Sequence, residues 1–212
     1  MISKCVGCTL AGTMTPSSKE LVYGFPIDGP MNVLHVDDFT VGASINYAGD
    51  KGFLIAACGM CTFAVVDPVP ELNWTTYAQA LSMIMLRFRL AHTIVLDIDS
   101  KFYAVFSQSC LLLDLYVHTV GSENHDAIIV ERVSRYLNKG LKIFTQERGT
   151  PAVSREAISL LIYAWNSCLV PLTDITRSMI VCGRDFFFPI EFSHKTAVKL
   201  TSSKQWVDTF SA

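Results

Sequence analysis

Four acidic side chains stand where they could do chemistry together. Asp37 and Asp38 lie late in a short β-rich run, Asp97 ends a wholly apolar one, and Glu131 sits in the opening turns of a helical stretch. Carboxylate oxygens are the hard anionic donors that Mg2+ and Mn2+ take, and a shared carboxylate can hold two such ions roughly 3.5–4 Å apart. In such a centre one ion activates the attacking water or hydroxyl while the other stabilises the leaving oxygen, which is the chemistry of phosphoryl transfer. Taken singly, an aspartate at a strand end is ordinarily a turn or cap residue. Here the meaning lies in the set. Strand residues alternate faces, so only one of Asp37 and Asp38 can join the others. Choosing Asp37 leaves Asp38 on the other face, while choosing Asp38 leaves Phe39 facing an apolar core. Asp37 is preferred, with Asp38 held beside it.

The elements that must position these groups follow from the apolar pattern. Val33-Leu34-His35-Val36 predicts a first strand running into Asp37-Asp38-Phe39-Thr40. Residues 53–57 and 62–66 predict a hairpin that turns around Gly59 and ends at Asp67-Pro68. Tyr77, Leu81, Ile84 and Phe88 make one apolar helical stripe, capped by Asn73 or Thr75. Residues 92–96 read as a buried parallel strand ending at Asp97. Ser100 caps a helix carrying Phe102, Phe106 and Leu113, and residues 115–119 form a fifth strand. A helix from about Asp126 to Phe144 turns Ile129, Val133, Tyr136, Leu137 and Leu141 inward and stops at Gln146-Glu147-Arg148-Gly149. Ser154 caps the next, with Ala157, Leu161, Ala164 and Cys168 on one face. This order predicts an α/β fold: a five-stranded mixed sheet, three antiparallel strands then two parallel ones, with helices on both faces. Such sheets carry their working residues at strand ends and in the loops beyond.

The chain has 212 residues, half of them hydrophobic and 17% charged, which fits one full-sized globular domain and argues against disorder. Its formal net charge of -2 gives no global basic field, so any contact with nucleic acid must come from a local patch. Met1 to Pro16 lacks the basic lead and long apolar core of a secretory signal. The most apolar stretch, residues 53–66, is too short to span a membrane, and no membrane partner is expected. Seven cysteines without export signals read as mostly reduced thiols. Cys58-Gly59-Met60-Cys61 most simply flanks the hairpin turn. A four-cysteine zinc site with Cys5 and Cys8 is the less favoured reading. A thioredoxin-like pair should open a helix after a strand, and this one does not.

Around the carboxylates the sequence resembles the integrase core of long-terminal-repeat retrotransposons and retroviruses, an RNase H-like fold. The resemblance covers about Val33 to Ser193. Val36-Asp37-Asp38-Phe39-Thr40-Val41-Gly42 is similar to that family's first-strand aspartate motif. Thr93-Ile94-Val95-Leu96-Asp97-Ile98-Asp99-Ser100-Lys101-Phe102 is similar to its second, and Asn124-His125-Asp126 through Val130-Glu131-Arg132-Val133-Ser134-Arg135-Tyr136-Leu137 to its third. Tyr163-Ala164-Trp165-Asn166, then Thr173 through Gly183-Arg184 and Pro189, resemble the stretch that follows the core. Two departures stand out. Asp99 occupies a position where the family usually has glycine, and the 33 residues between Asp97 and Glu131 are slightly fewer than usual.

The resemblance implies an enzyme of the D-D-E type, with Asp37 (or Asp38), Asp97 and Glu131 holding two Mg2+ or Mn2+ ions. It implies 3′-end processing of element DNA and strand transfer into a target duplex, by a homo-oligomer working in the nucleus. Arg135, Asn138 and Lys142 share the helix face of Glu131, with Lys139 beside them, and are expected to meet the phosphate backbone. His125, in the loop before that helix, is expected to contact phosphate or relay a proton. The Cys5–Cys8 pair resembles the second half of the zinc domain that precedes integrase cores. Zn2+ is therefore expected only in a longer parent chain, of which this would be a fragment or a decayed copy. The expected organisation is residues 1–30 as the remnant of that domain and a linker, 31–193 as the catalytic core, and 194–212 as a C-terminal extension. Two other readings remain: a non-catalytic domesticated or decayed copy that binds DNA or protein, and an RNase H-type nuclease. The nuclease would normally carry a fourth carboxylate late in the chain, where Asp185 is a poor candidate.

Overall fold

The structure, a computed structural model, describes residues 27–40, 50–88, 91–97, 114–120, 129–148 and 155–186. Five strands, β1 (Val33–Phe39), β2 (Gly52–Cys58), β3 (Ala64–Val69), β4 (Thr93–Asp97) and β5 (Tyr116–Val120), form one sheet in the order β3-β2-β1-β4-β5. The pairs β1–β2 and β2–β3 are antiparallel, whereas β1–β4 and β4–β5 are parallel. That is the mixed sheet expected from the sequence. Four helices are described: α1 (Trp74–Phe88), α2 (Ile129–Arg148), α3 (Arg155–Asn166) and α4 (Arg177–Cys182). None of the described helices is long and apolar enough to cross a membrane.

Period-two alternation divides the core between the two faces of the sheet. On one face Leu34, Val36, Leu54, Ala56, Ile94 and Leu96 pack with Tyr77, Leu81 and Ile84 of α1. On the other, Phe39, Phe53, Ile55 and Ala57 meet Ile129, Val133, Leu137 and Leu141 of α2 and Ala157, Ile158 and Leu161 of α3. Helix α2 approaches α3 closely at Gly140, where a Cβ would lie 2.4 Å from a Leu161 methyl. A larger residue there would push the helices apart.

Several boundaries depart from the sequence reading. Strand β3 continues through Asp67 and Pro68 to Val69, because Pro68 falls at a position of the ladder where β2 needs no N–H from it. Phe88 is partly exposed, and Met85 and Ala80 take the inward positions on α1. Helix α2 runs four residues past Phe144 and ends at Arg148, within the expected stop run and directly before Gly149. Cys168 lies beyond α3 and is exposed, while Trp165 and Asn166 complete the buried face. The helix expected from Ser100 and the Ser154 cap lie outside the described residues.

The segment after the core is tied down by polar contacts. The Asn166 side chain takes both backbone groups of Ala64: its Oδ1 accepts from the amide at 2.9 Å and its Nδ2 donates to the carbonyl at 2.8 Å. Trp165 Nε1 donates to the Thr62 carbonyl at 2.8 Å. The guanidinium of Arg177, buried, lies 4.3 Å from the Trp165 ring centroid and donates to Thr62 Oγ1 and to the carbonyls of Trp165, Cys168 and Leu169. These contacts hold Thr62 at φ 59°, a left-handed conformation that a β-branched residue rarely adopts. Helix α4 is capped by Thr176 at its start and closed by left-handed Gly183 at φ 67°.

Candidate metal and phosphoryl-transfer site

The strand registers decide which aspartate shares a face with what. Across β1–β2, Asp37 pairs with Ile55 and Asp38 with Leu54. Ile55 belongs to the core beneath α2, and Leu54 to the core beneath α1. Asp37 therefore lies on the α2 face and Asp38 on the α1 face. The Tyr77 hydroxyl of α1 reports the same split, since burial and then the charges of Asp38 and Asp37, in that order, push its pKa up.

On β4, Ile94 and Leu96 face α1, so Asp97 alternates onto the α2 side. The parallel β1–β4 register pairs Val33 with Thr93 and His35 with Val95. Asp37 and Asp97 each lie two residues beyond the last paired rung, His35 with Val95, and on the same face of adjacent strands. Asp97 in turn pairs with Val120 of β5. Above this face runs α2, whose buried residues Ile129, Val130 and Val133 bring Glu131, in the first turn, to the edge of the core.

Like charges meet here. The Asp37 carboxyl is pushed up to about 7, first by burial and then by the charge of Asp38. The backbone N–H of Asp38, which donates to Asp37 Oδ1 at 2.9 Å, offsets part of this, and the charges of Asp97 and Glu131 add to it. Asp97 and Glu131 thus lie near enough for Asp37 to feel both. Glu131 accepts from Arg135 Nη2 at 2.9 Å, one helical turn on, in a half-exposed pair. His35, one rung behind Asp37, does not compensate these charges: burial first, and then His118, depresses its pKa to about 4. In that rung the registers align His35, Val95 and His118. Neither histidine has a partner pattern in the sequence, although His35 stands two residues before Asp37, the spacing that puts both on one face.

The donor chemistry suits a hard divalent cation, with oxygen ligands from two strand ends and a helix start on one face. The cage is not closed, however. Among the described residues no three His, Cys, Asp or Glu side chains stand close enough to hold one ion. Along α2, Arg135, Asn138, Lys139 and Lys142 are all exposed. Asp185 caps the far end of the molecule's polar network, where its Oδ1 accepts from Thr176 Oγ1 at 2.5 Å. His125, Asp99, Cys5 and Cys8 lie outside the described residues.

The sequence matches no protein-family model and no curated protein. Solved structures do match. The HTLV-2 integrase catalytic core domain, in complex with magnesium and in dimeric form, aligns at TM-score 0.56 and 15% identity, over 72% of this chain and 97% of that one. A chain of the simian T-cell lymphotropic virus intasome, in complex with a PP2A regulatory subunit, aligns at TM-score 0.60 and 17% identity, over 82% of this chain and 61% of that one. The catalytic core domain of BIV integrase aligns at TM-score 0.54 and 16% identity, over 78% of this chain and 99% of that one. The chain has the RNase H-like fold of retroviral integrase catalytic cores.

Proposed function

We propose that this chain is a retroelement integrase core, a metal-dependent polynucleotidyl transferase that processes element DNA ends and joins them to a target duplex in the nucleus. The observation that carries this reading is that Asp37 and Asp97 lie on the same face of adjacent parallel strands, two residues beyond the paired His35 and Val95, beneath the helix that opens with Glu131. Asp37, Asp97 and Glu131 would hold two Mg2+ or Mn2+ ions, which when bound supply Lewis acidity to the attacking and leaving oxygens of the phosphoryl group. Burial and neighbouring charge hold the Asp37 carboxyl near 7, so a bound cation would favour its ionised form. The exposed side chains of Arg135, Asn138, Lys139 and Lys142 continue from Glu131 along α2 and suit the phosphate backbone beside the scissile bond. The nucleophile is water for processing and a DNA 3′-hydroxyl for transfer, so no side chain forms a covalent intermediate. Homo-oligomers are proposed by analogy with the dimeric and intasome forms of the neighbours.

The test incubates the purified chain with Mn2+ and a branched duplex that mimics the joined product. Metal-dependent resolution of the branch, abolished by chelator and by Asp37→Asn, is the expected result. The absence of both branch resolution and calorimetric Mn2+ binding would overturn the catalytic reading. The open carboxylate arrangement favours one second reading, a copy that keeps the fold and binds DNA without catalysis. That copy would still bind duplex with a salt dependence reduced by removing Arg135, Lys139 and Lys142. A fourth carboxylate of RNase H type is not offered by Asp185, which is engaged with Thr176.

A further inference from the structure

The carboxylate end of the sheet carries an exposed indole for which the metal chemistry itself has no use. Strands β1 and β3 each run antiparallel to β2 and so point the same way. Strand β3 therefore ends, and α1 begins, at the end of the sheet where Asp37 and Asp97 stand. Gly52, which opens β2, joins the two regions. A Cβ there would lie 3.3 Å from the Phe39 carbonyl and 2.8 Å from a Leu72 methyl, so glycine lets the loop before α1 rest directly against the end of β1. Phe39 is two residues past Asp37, about 7 Å along the strand.

The first turn of α1 is fixed in this place. Asn73 caps it, its Oδ1 accepting from the Thr76 N–H at 3.0 Å, while its Nδ2 donates to Glu71 Oε2 at 2.8 Å and holds the acid of this loop against the cap. Trp74 follows as the first helical residue and is 50% exposed, as is Leu72. The other described tryptophan, Trp165, is buried with its N–H on the Thr62 carbonyl. Lys51, exposed directly before Gly52, adds a cation at this end. A flat apolar ring on a rigid turn, with a cation nearby, is the combination that holds single-stranded nucleic acid: the ring stacks on a base and the cation meets the backbone. Two half-exposed apolar side chains are far too few for a stable protein interface, which takes roughly 20–30 residues a side.

We propose that Trp74 is a stacking platform for an unpaired base of the DNA strand bound at the carboxylates, with Lys51 on the backbone of that strand. The inference rests on the polynucleotide reading above and adds which form of DNA the site takes. Inside a duplex both faces of a base are covered by its neighbours, so only a frayed or single-stranded nucleotide can offer one to an indole. A strand whose reacting phosphate lies over Asp37 and Asp97, and which runs on past the end of β1, meets Gly52 and then Trp74. Leu72 widens the apolar floor beside the ring. The site therefore favours a duplex with a single-stranded tail over a blunt one.

The experiment measures, by fluorescence anisotropy over a range of salt, binding of the native full chain to a labelled blunt duplex and to the same duplex with a single-stranded tail. The tailed duplex should bind more tightly, and Trp74→Ala should remove about tenfold of the affinity for it. Trp74→Phe, which keeps an aromatic face, should retain most of that affinity. Lys51→Ala should make the salt dependence shallower by about one phosphate contact, which Trp74→Ala should not. The proposal is overturned if the chain binds the blunt duplex but gains nothing from the tail, or if the gain survives Trp74→Ala. Binding of neither DNA would overturn both this proposal and the polynucleotide reading beneath it.

Discussion

The carboxylate end of the sheet and the junction of the hairpin with α3 and α4 solve the burial of charge in opposite ways. At the junction the Arg177 guanidinium is buried, yet hydroxyl and carbonyl oxygens and the Trp165 ring surround it. At the carboxylate end Asp37 is partly buried among Asp38, Asp97 and Glu131, with an uncharged His35 behind it. One region spends its polar groups on each other and gains rigidity. The other crowds carboxylates together, and their repulsion with burial holds the Asp37 carboxyl near 7, a state that costs stability until a cation arrives. A carboxylate so perturbed by its neighbours marks a working site more clearly than acidity alone.

Breaking the comparison at Asp37 should have the largest effect. Asp37→Asn is expected to lower metal-dependent strand transfer by about 1000-fold or more, equivalent to about 4 kcal/mol, in a gel assay of product strands. Asp38→Asn, on the α1 face, should stay within about tenfold; equal losses would show that the face assignment is wrong. At the junction, Arg177→Met leaves several buried carbonyls without a donor. It should cost about 3 kcal/mol in urea unfolding, with the slope unchanged. A loss below about 1 kcal/mol would mean that the network matters little.

The sign of the Asp37 effect is opposite when stability is measured without metal. The folded pKa of about 7 lies above the ordinary 3.8, so between these values the native state keeps a proton that the unfolded chain releases. Stability therefore falls as pH rises from about 4 to 7 and is lowest above that window. Asp37→Asn should flatten this slope and stabilise the metal-free protein by about 1–2 kcal/mol at pH 8. Arg135→Ala gives the smallest change. Its pair with Glu131 is half-exposed and one helical turn apart, so thermal unfolding should register about 0.5 kcal/mol or less.

Much of this was legible in the sequence because apolar period carries it. The strand count, the mixed topology and the inward stripes of α1 and α2 follow from residues such as Leu81, Ile84, Val133 and Leu137, whose burial is dictated by their neighbours on one face. Whether Asp37 or Asp38 faces α2 was not legible, because alternation says only that they differ. The answer needed Ile55 and Leu54 on the partner strand. Pro68 looked like a strand end, since a lone sequence cannot show which ladder positions need a donor. The Arg177 cluster joins one contact 115 residues away in sequence, with Thr62, to carbonyls only 8 to 12 residues back, and no periodic signature announces it.

The amide of Asn166 has a consequence for how these molecules meet one another. On the open side of β3 the outward-pointing residues are Ala64, Val66 and Pro68. Asn166 already occupies the first, and the third has no N–H to give. A strand from a neighbouring molecule would find little beyond Val66 to grip, so the sheet is closed to growth at that border without any covering element. At this border, then, association with another copy has to be written in side chains rather than in backbone pairing.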